Sequence, residues 1–328
     1  MNESWFVKLK KTKNYKNVTI YALICSVMIF FVIVSMVARP EKYIAVTINS
    51  LIVWATVVLP SLFPFLIYTK FLTKLGFVDL LSKLFSPITK KLFNVDGVSS
   101  YLWIMSIMSG NPIGAKLTAD LYNEGMIDRG SAKRCITFCS NCGPMFIIGT
   151  VGIGFLLSKT AGYVMLLSHL LGSLLNGLTF RKKDIYDTQK KSFKEKNIST
   201  DNFFNQTAIS SANSMFVVGT YIIFFFILIE FLVGLFSINT NTVFGSILTG
   251  FLEITHGCKD IALLNLNINL KTILATFVLS FGGLATAFQA FAFIKEVGIS
   301  MKFYLFQKLT HCLYSTAICT MLTLIISI

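Results

Sequence analysis

Long apolar stretches recur along the whole of this 328-residue chain and constrain its fold more than any motif does. A helix needs roughly 20 residues to cross about 30 Å of hydrocarbon. Residues 18–38, 45–69, 136–157, 160–180, 211–236 and 303–327 reach that length with few charges. Three more stretches, 78–94, 98–124 and 243–293, are apolar but interrupted by Gly, Pro or charge. Broken backbone at membrane depth is tolerated only where protein or a polar cavity satisfies it. The expected class is therefore an all-α polytopic membrane protein, an inverted-repeat, transporter-like helical bundle with re-entrant or broken helices. A composition that is 54% hydrophobic and only 13% charged leaves no room for a large soluble domain.

The formal charge of +14 could suggest nucleic acid. The lysines, however, sit in short clusters beside apolar segments, which makes them topology signals; the expected partner is the lipid bilayer, and no nucleic acid. The N-terminus, with Lys8, Lys10, Lys11, Lys13 and Lys16, and the loop from Arg181 to Asn197 should both face the cytoplasm. The apolar run 18–38 is too long for a signal-peptide core and lacks a small-residue cleavage site, so an anchor is expected there. An even number of crossings must separate the two basic segments, which requires 98–124 to enter and leave on one side as a re-entrant hairpin. The expected location is the cell membrane, multi-pass, with both termini cytoplasmic.

The segment "SGNPIGAKLTADLYNEGMI" combines the breakers Gly110, Pro112 and Gly114 with Lys116, Asp120 and Glu124 at i, i+4, i+8. On a helix those charges share a face, and a Lys116–Asp120 pair would offset part of the cost of burial. A half-helix amino terminus at such a turn favours an anionic or polar group. "GGLATAFQAFAFIKEVGIS" at residues 282–300 echoes it, and a constant offset pairs Gly110 with Gly283, Lys116 with Gln289 and Gly125 with Gly298. Lysines are sparser around the second segment, which gives the two units opposite orientation. The expected organisation is a cytoplasmic N-terminus and anchor over 1–44, a first repeat over 45–180, a basic cytoplasmic loop over 181–210, and a second, inverted repeat over 211–328.

Two other stretches hold polar groups in apolar surroundings. "FLEITHGCKD" sets Glu253 three residues from His256, a pair that could hold a proton or a cation. "CITFCSNCGPMF" places Asn141, Gly143 and Pro144 in a run long enough to span, so a broken helix with exposed carbonyls is expected. Its Cys139 and Cys142 have no second pair and no nearby His, and seven cysteines in all form no framework, so neither metal, redox centre, disulfide nor other cofactor is expected. Glu230 is a further costly charge, either a cavity residue or one near an exit face. The candidate solute or ion site comprises Gly110, Asn111, Pro112, Gly114, Lys116, Asp120, Asn141, Glu253, Gly283 and Gln289. With no phosphate loop, HExxH or defensible Ser/His/Asp order, no enzyme is expected.

"SGNPIGAKLTADLYNEGMI" followed closely by "FCSNCGPMFIIGTVGIG" resembles the YlbJ sporulation integral membrane proteins of spore-forming bacteria, within the nucleoside-recognition or Gate superfamily. "FLEITHGC" and "FGGLATAFQAFAFIKEVGI" look like the second half of that domain, so the resemblance runs from about Ala45 to the C-terminus. It implies a polytopic membrane protein needed for spore formation, in spore envelope or cortex assembly. Related Gate domains in concentrative nucleoside transporters and the ferrous iron transporter B imply a solute path. The family usually has an aromatic residue where this chain has Asn111. Two readings stay open: a protein that moves or gates a small solute or ion, and a membrane scaffold that recruits other sporulation membrane proteins through the 181–197 loop. A nucleoside or small-solute transporter unrelated to sporulation is a third.

Overall fold

The computed structural model describes residues 15–75, 77–95, 97–182 and 203–326, all of them helical or connecting. The lysines before Tyr15 and most of the 181–197 loop lie outside the described residues. Helix α1 is Tyr15–Ala38 and α2 is Pro40–Val53, which runs through a π-helical turn, Trp54–Val58, into α3, Leu59–Lys74. That wide turn precedes Pro60, whose missing N–H interrupts the regular ladder, and Leu59 N–H bonds back five residues to Trp54 O. Next come α4 (Phe77–Phe93), α5 (Ser99–Ser109), α6 (Ile113–Asn123) and α7 (Arg129–Cys139). A π-helical segment, Met145–Phe155, leads to α8 (Lys159–Thr179). The remainder is α9 (Phe203–Phe236), α10 (Val243–Leu252), α11 (Ile254–Leu263), α12 (Ile268–Phe281), α13 (Gly283–Ile294) and α14 (Met301–Ile325).

Among the described residues four helical stretches are long and apolar enough to cross a membrane by length and composition: Pro40–Val58, Lys159–Thr179, Phe204–Phe236 and Ile268–Ile294. Their outward side chains are large and apolar, among them Leu167, Leu171, Phe216 and Phe224, as a lipid-facing surface requires. Helix α14 is equally long but carries Gln307, Lys308, His311 and Ser315 on a buried face packed against α8 and α12. The expected span 136–157 is not one helix. It stops at Cys139, runs irregularly through Ser140–Gly143 and resumes as the π-helical segment.

Two structural devices occur twice. The first is a hairpin of two short helices: α5 and α6 fold back about Gly110–Pro112, and α10 and α11 fold back about Glu253. Both are held by close backbone approach. A Cβ on Gly257 would fall on the backbone of Gly250, and one on Gly114 would come within 3.0 Å of the Ser106 side chain. In the second hairpin Thr249 Oγ1 also donates across to Asp260 Oδ2 at 2.8 Å. The second device is a broken helix that does not fold back: α7 with the Met145–Phe155 segment, and α12 with α13 across Gly282.

This order corrects the offset read from sequence. The hairpin around Gly110 has α10–α11 as its structural counterpart, whereas Gly283 and Gln289 belong to the second broken helix, the counterpart of residues 129–155. The two devices share small, turn-forming residues because each must open its ladder inside the bundle, and that common chemistry produced the sequence echo.

Candidate functional site

Each hairpin tip is seated on the break of the broken helix that follows it. Gly110, with φ of +71°, has no room for a side chain: a Cβ there would strike Gly143. At the other tip, a Cβ on Gly283 would lie 3.2 Å from Gly250 O and 3.3 Å from Ile254 N. The two breaks are joined directly. Cys142 Sγ donates to Leu279 O at 3.2 Å, and Cys142 N–H donates to His169 Nε2 at 3.0 Å. Because Nε2 accepts, the proton of the neutral imidazole lies on Nδ1, which faces Ser280 Oγ at 2.9 Å. His169 on α8 thereby bridges both breaks, and its own carbonyl accepts from His311 Nε2 at 3.0 Å.

A helix that ends inside a bundle leaves carbonyls that need donors. At the end of α7 nearly all are supplied by side chains. Ser140 Oγ donates to Ile136 O at 2.9 Å, Asn176 Nδ2 to Thr137 O at 2.7 Å, and Asn141 Nδ2 to Phe138 O at 2.9 Å. Ser173 Oγ donates to Phe138 O at 3.0 Å, and Lys308 Nζ reaches Ser140 O at 2.8 Å. Asn141 is therefore a buried cap of the break, as the exposed carbonyls expected there require, and not a wall of either cavity described below.

In front of the first hairpin tip lies a cavity of about 540 Å³, bounded by α3, the tip, α9 and α13. Asn111, Pro112 and Lys116 line it, with Asn213 and Tyr221 of α9 and Gln289 of α13. Through Asn111 and Gln289 it adjoins a smaller space of about 60 Å³ that reaches Gly143, Glu253, Thr255 and Thr286. Both polar side-chain atoms of Asn111, and Ser109 Oγ, are shielded yet have no hydrogen-bond partner among the described residues. Unpaired buried amides are costly, and a polar occupant of the cavity would relieve that cost.

The ten residues named from sequence separate into groups. Asn111, Pro112, Lys116, Glu253 and Gln289 line the two adjoining cavities. Gly110 and Gly283 are the packing points of the tips, and Gly114 admits the carbonyl of Cys139 where a Cβ would collide. Asp120 is exposed and lies outside both cavities. No Lys116–Asp120 ion pair is present among the described residues, and Glu124 is the carboxyl-cap residue of α6. Glu253 interacts with His256 through the backbone: its carboxylate accepts from His256 N–H at 2.8 Å and so caps α11. The imidazole of His256 packs at a tilt against Phe226, with Nε2 3.5 Å from Asp260 Oδ2. Glu230 forms an ion pair with Lys42, which accounts for its charge within an apolar helix.

Sequence reasoning passed over His169, Lys308 and His311. A signal was present. In "FYLFQKLTHCLYSTA" the polar residues Gln307, Lys308, His311 and Ser315 recur every three to four positions, which marks one polar helix face inside an apolar segment.

Residues 55–143 match the family described as Gate, nucleoside recognition, which covers the first hairpin tip and the break at Ser140–Gly143. Over 90% of its length the chain is similar to the sporulation integral membrane protein YlbJ of Bacillus subtilis (strain 168), at 27% identity and with 81% of that protein covered. The fold is similar to that of a CNTnw variant in its intermediate 3 state, with a TM-score of 0.63, 14% identity, and coverage of 97% of this chain and 88% of that one. The chain is thus a multi-pass membrane protein whose residues 55–143 match the Gate nucleoside-recognition family and which is similar to YlbJ over most of its length.

Proposed function

We propose that this protein serves sporulation from the membrane by binding, and passing or gating, a small polar solute in the cavity between its two halves. The observation that carries this reading is the pair of hairpin tips, each seated on a helix break, with a cavity of about 540 Å³ in front of one of them. Discontinuous helices meeting at a polar cavity are the arrangement by which transporters expose backbone to a solute. The lining chemistry defines a solute class. Lys116 is the cationic wall of the larger cavity, amides and hydroxyls make up the other polar groups, and no carboxylate among the described residues lines it. The amino terminus of α6 opens at the same tip. An anionic or strongly polar small molecule suits that wall better than a cation. The sporulation role is taken from the similarity to YlbJ, and the two halves are read as oppositely oriented units with both termini cytoplasmic.

The test is complementation. K116A and N111A, each introduced into a spore-forming host that lacks the gene, should lower spore yield while membrane levels of the protein stay constant. Wild-type yield from both would overturn the solute reading. Loss of yield from deletion of 183–202 alone, with both cavity variants active, would favour the scaffold.

A further inference from the structure

Lys308 is the least expected buried group in the molecule. It is 1% exposed, yet it forms no salt bridge with any described residue. A buried ammonium without a counter-charge costs several kcal/mol, so something else must balance it. Its Nζ donates to Ser140 O at 2.8 Å, the carbonyl at the broken end of α7. It also lies against Gly282, where α12 ends: a Cβ on that residue would stand 3.3 Å from Lys308 Cε and 3.6 Å from Nζ. The carboxyl end of α7, with its partial negative charge of about half a unit, and the junction at Gly282 where α12 gives way to α13 therefore meet at one ammonium.

Hydrogen bonding alone does not call for a lysine here. The neighbouring carbonyls of α7 are satisfied by neutral donors from Asn176, Ser173 and Asn141. What Lys308 adds is charge. The other polar groups at the junction add none: His169 accepts a backbone N–H and is neutral in that arrangement, and Cys142 donates its thiol to Leu279 O. Unwound carbonyls and half-helix carboxyl ends are the groups that hold a soluble alkali cation in transporters built on broken helices.

We propose that the Lys308 side chain is a tethered resident cation, filling with its own ammonium the place between the α7 and α12 carboxyl ends that a soluble alkali cation would otherwise occupy. A tethered cation cannot dissociate, so the protein assembles, and moves any solute, without Na⁺ or K⁺. This rests on the geometry of the two breaks and holds whether or not a solute passes.

The experiment is thermal unfolding of the purified full chain in detergent, followed by tryptophan fluorescence in NaCl, LiCl, KCl or choline chloride at one ionic strength. Wild-type protein should melt at the same temperature in all four. K308A should melt lower in choline and recover part of the loss in Na⁺ or Li⁺, which fit the vacated space. K308Q, a neutral donor, should also melt lower. Three results overturn the proposal: a wild-type melting temperature that rises with Na⁺ over choline, a folded K308A indifferent to the salt, or a K308Q as stable as wild type. Should K308A not fold, the wild-type series and K308Q decide.

Discussion

Gly110 and Gly143 meet backbone to backbone, so that a Cβ on Gly110 would sit 2.9 Å from Gly143 Cα and closer still to its nitrogen. The contact is asymmetric, since a Cβ on Gly143 would find nothing nearer than 3.6 Å. G110A should therefore destabilise the protein strongly, because a positive φ with extended ψ is essentially closed to residues with a Cβ and costs about 1–3 kcal/mol, and the collision adds to it. G143A should be close to neutral. Melting temperatures of the two purified variants check this, and equal losses would show that the tip is not seated as described.

The hairpin of α10 and α11 depends on an equally close pair. G257A would drive a methyl group into Gly250, and overpacking of this kind costs about 1–3 kcal/mol. The expected result is a lower melting temperature, with partial loss of protection of Glu253 N–H, which donates to Thr249 O at 2.8 Å, in hydrogen exchange.

Asn176 links three elements. Its Nδ2 donates to Thr137 O at 2.7 Å and to Gln307 O at 3.1 Å, while its Oδ1 accepts from Thr310 Oγ1 at 2.6 Å. N176L keeps the bulk and leaves several buried groups without partners, at about 1–3 kcal/mol each where no relaxation helps. A clear drop in unfolding temperature is expected, and a variant as stable as wild type would mean that other donors replace the amide.

The cavity lining should behave in the opposite way. Asn111 has no hydrogen-bond partner among the described residues, so N111A should unfold within about 0.5 kcal/mol of wild type. Spore yield in the complementation assay is expected to fall all the same. Loss of stability with function intact would reverse the assignment of Asn111 from lining to framework.

Lys42 and Glu230 can be tested as a pair. Lys42 is half-exposed, so the expected coupling in a double-mutant cycle of K42A and E230Q is modest, about 0.5–1 kcal/mol. Additive effects would show that the ion pair does not hold α2 against α9.

Much of this architecture was legible in the chain. Apolar runs of about 20 residues leave the backbone no alternative to helix in hydrocarbon. Gly110, Pro112, Pro144 and Gly282 mark where the ladder opens, because Pro lacks a donor and Gly alone tolerates a positive φ there. Period and punctuation are local properties, and they are written residue by residue. Partner choice is not. That Gly110 rests on Gly143, that Glu253 closes a hairpin of its own and that Asp120 lies outside the cavity Lys116 lines depend on which elements approach, which no spacing records. The same limit hid Lys308. Along the chain it is one more lysine in a basic protein, and only the packing of α14 against α8 and α12 brings its ammonium to two helix ends that lie far apart in sequence. Sequence determined the helices and their breaks through hydrogen-bond satisfaction in an apolar medium; the tertiary structure decided which breaks share a charge, because electrostatic compensation depends on distance in space.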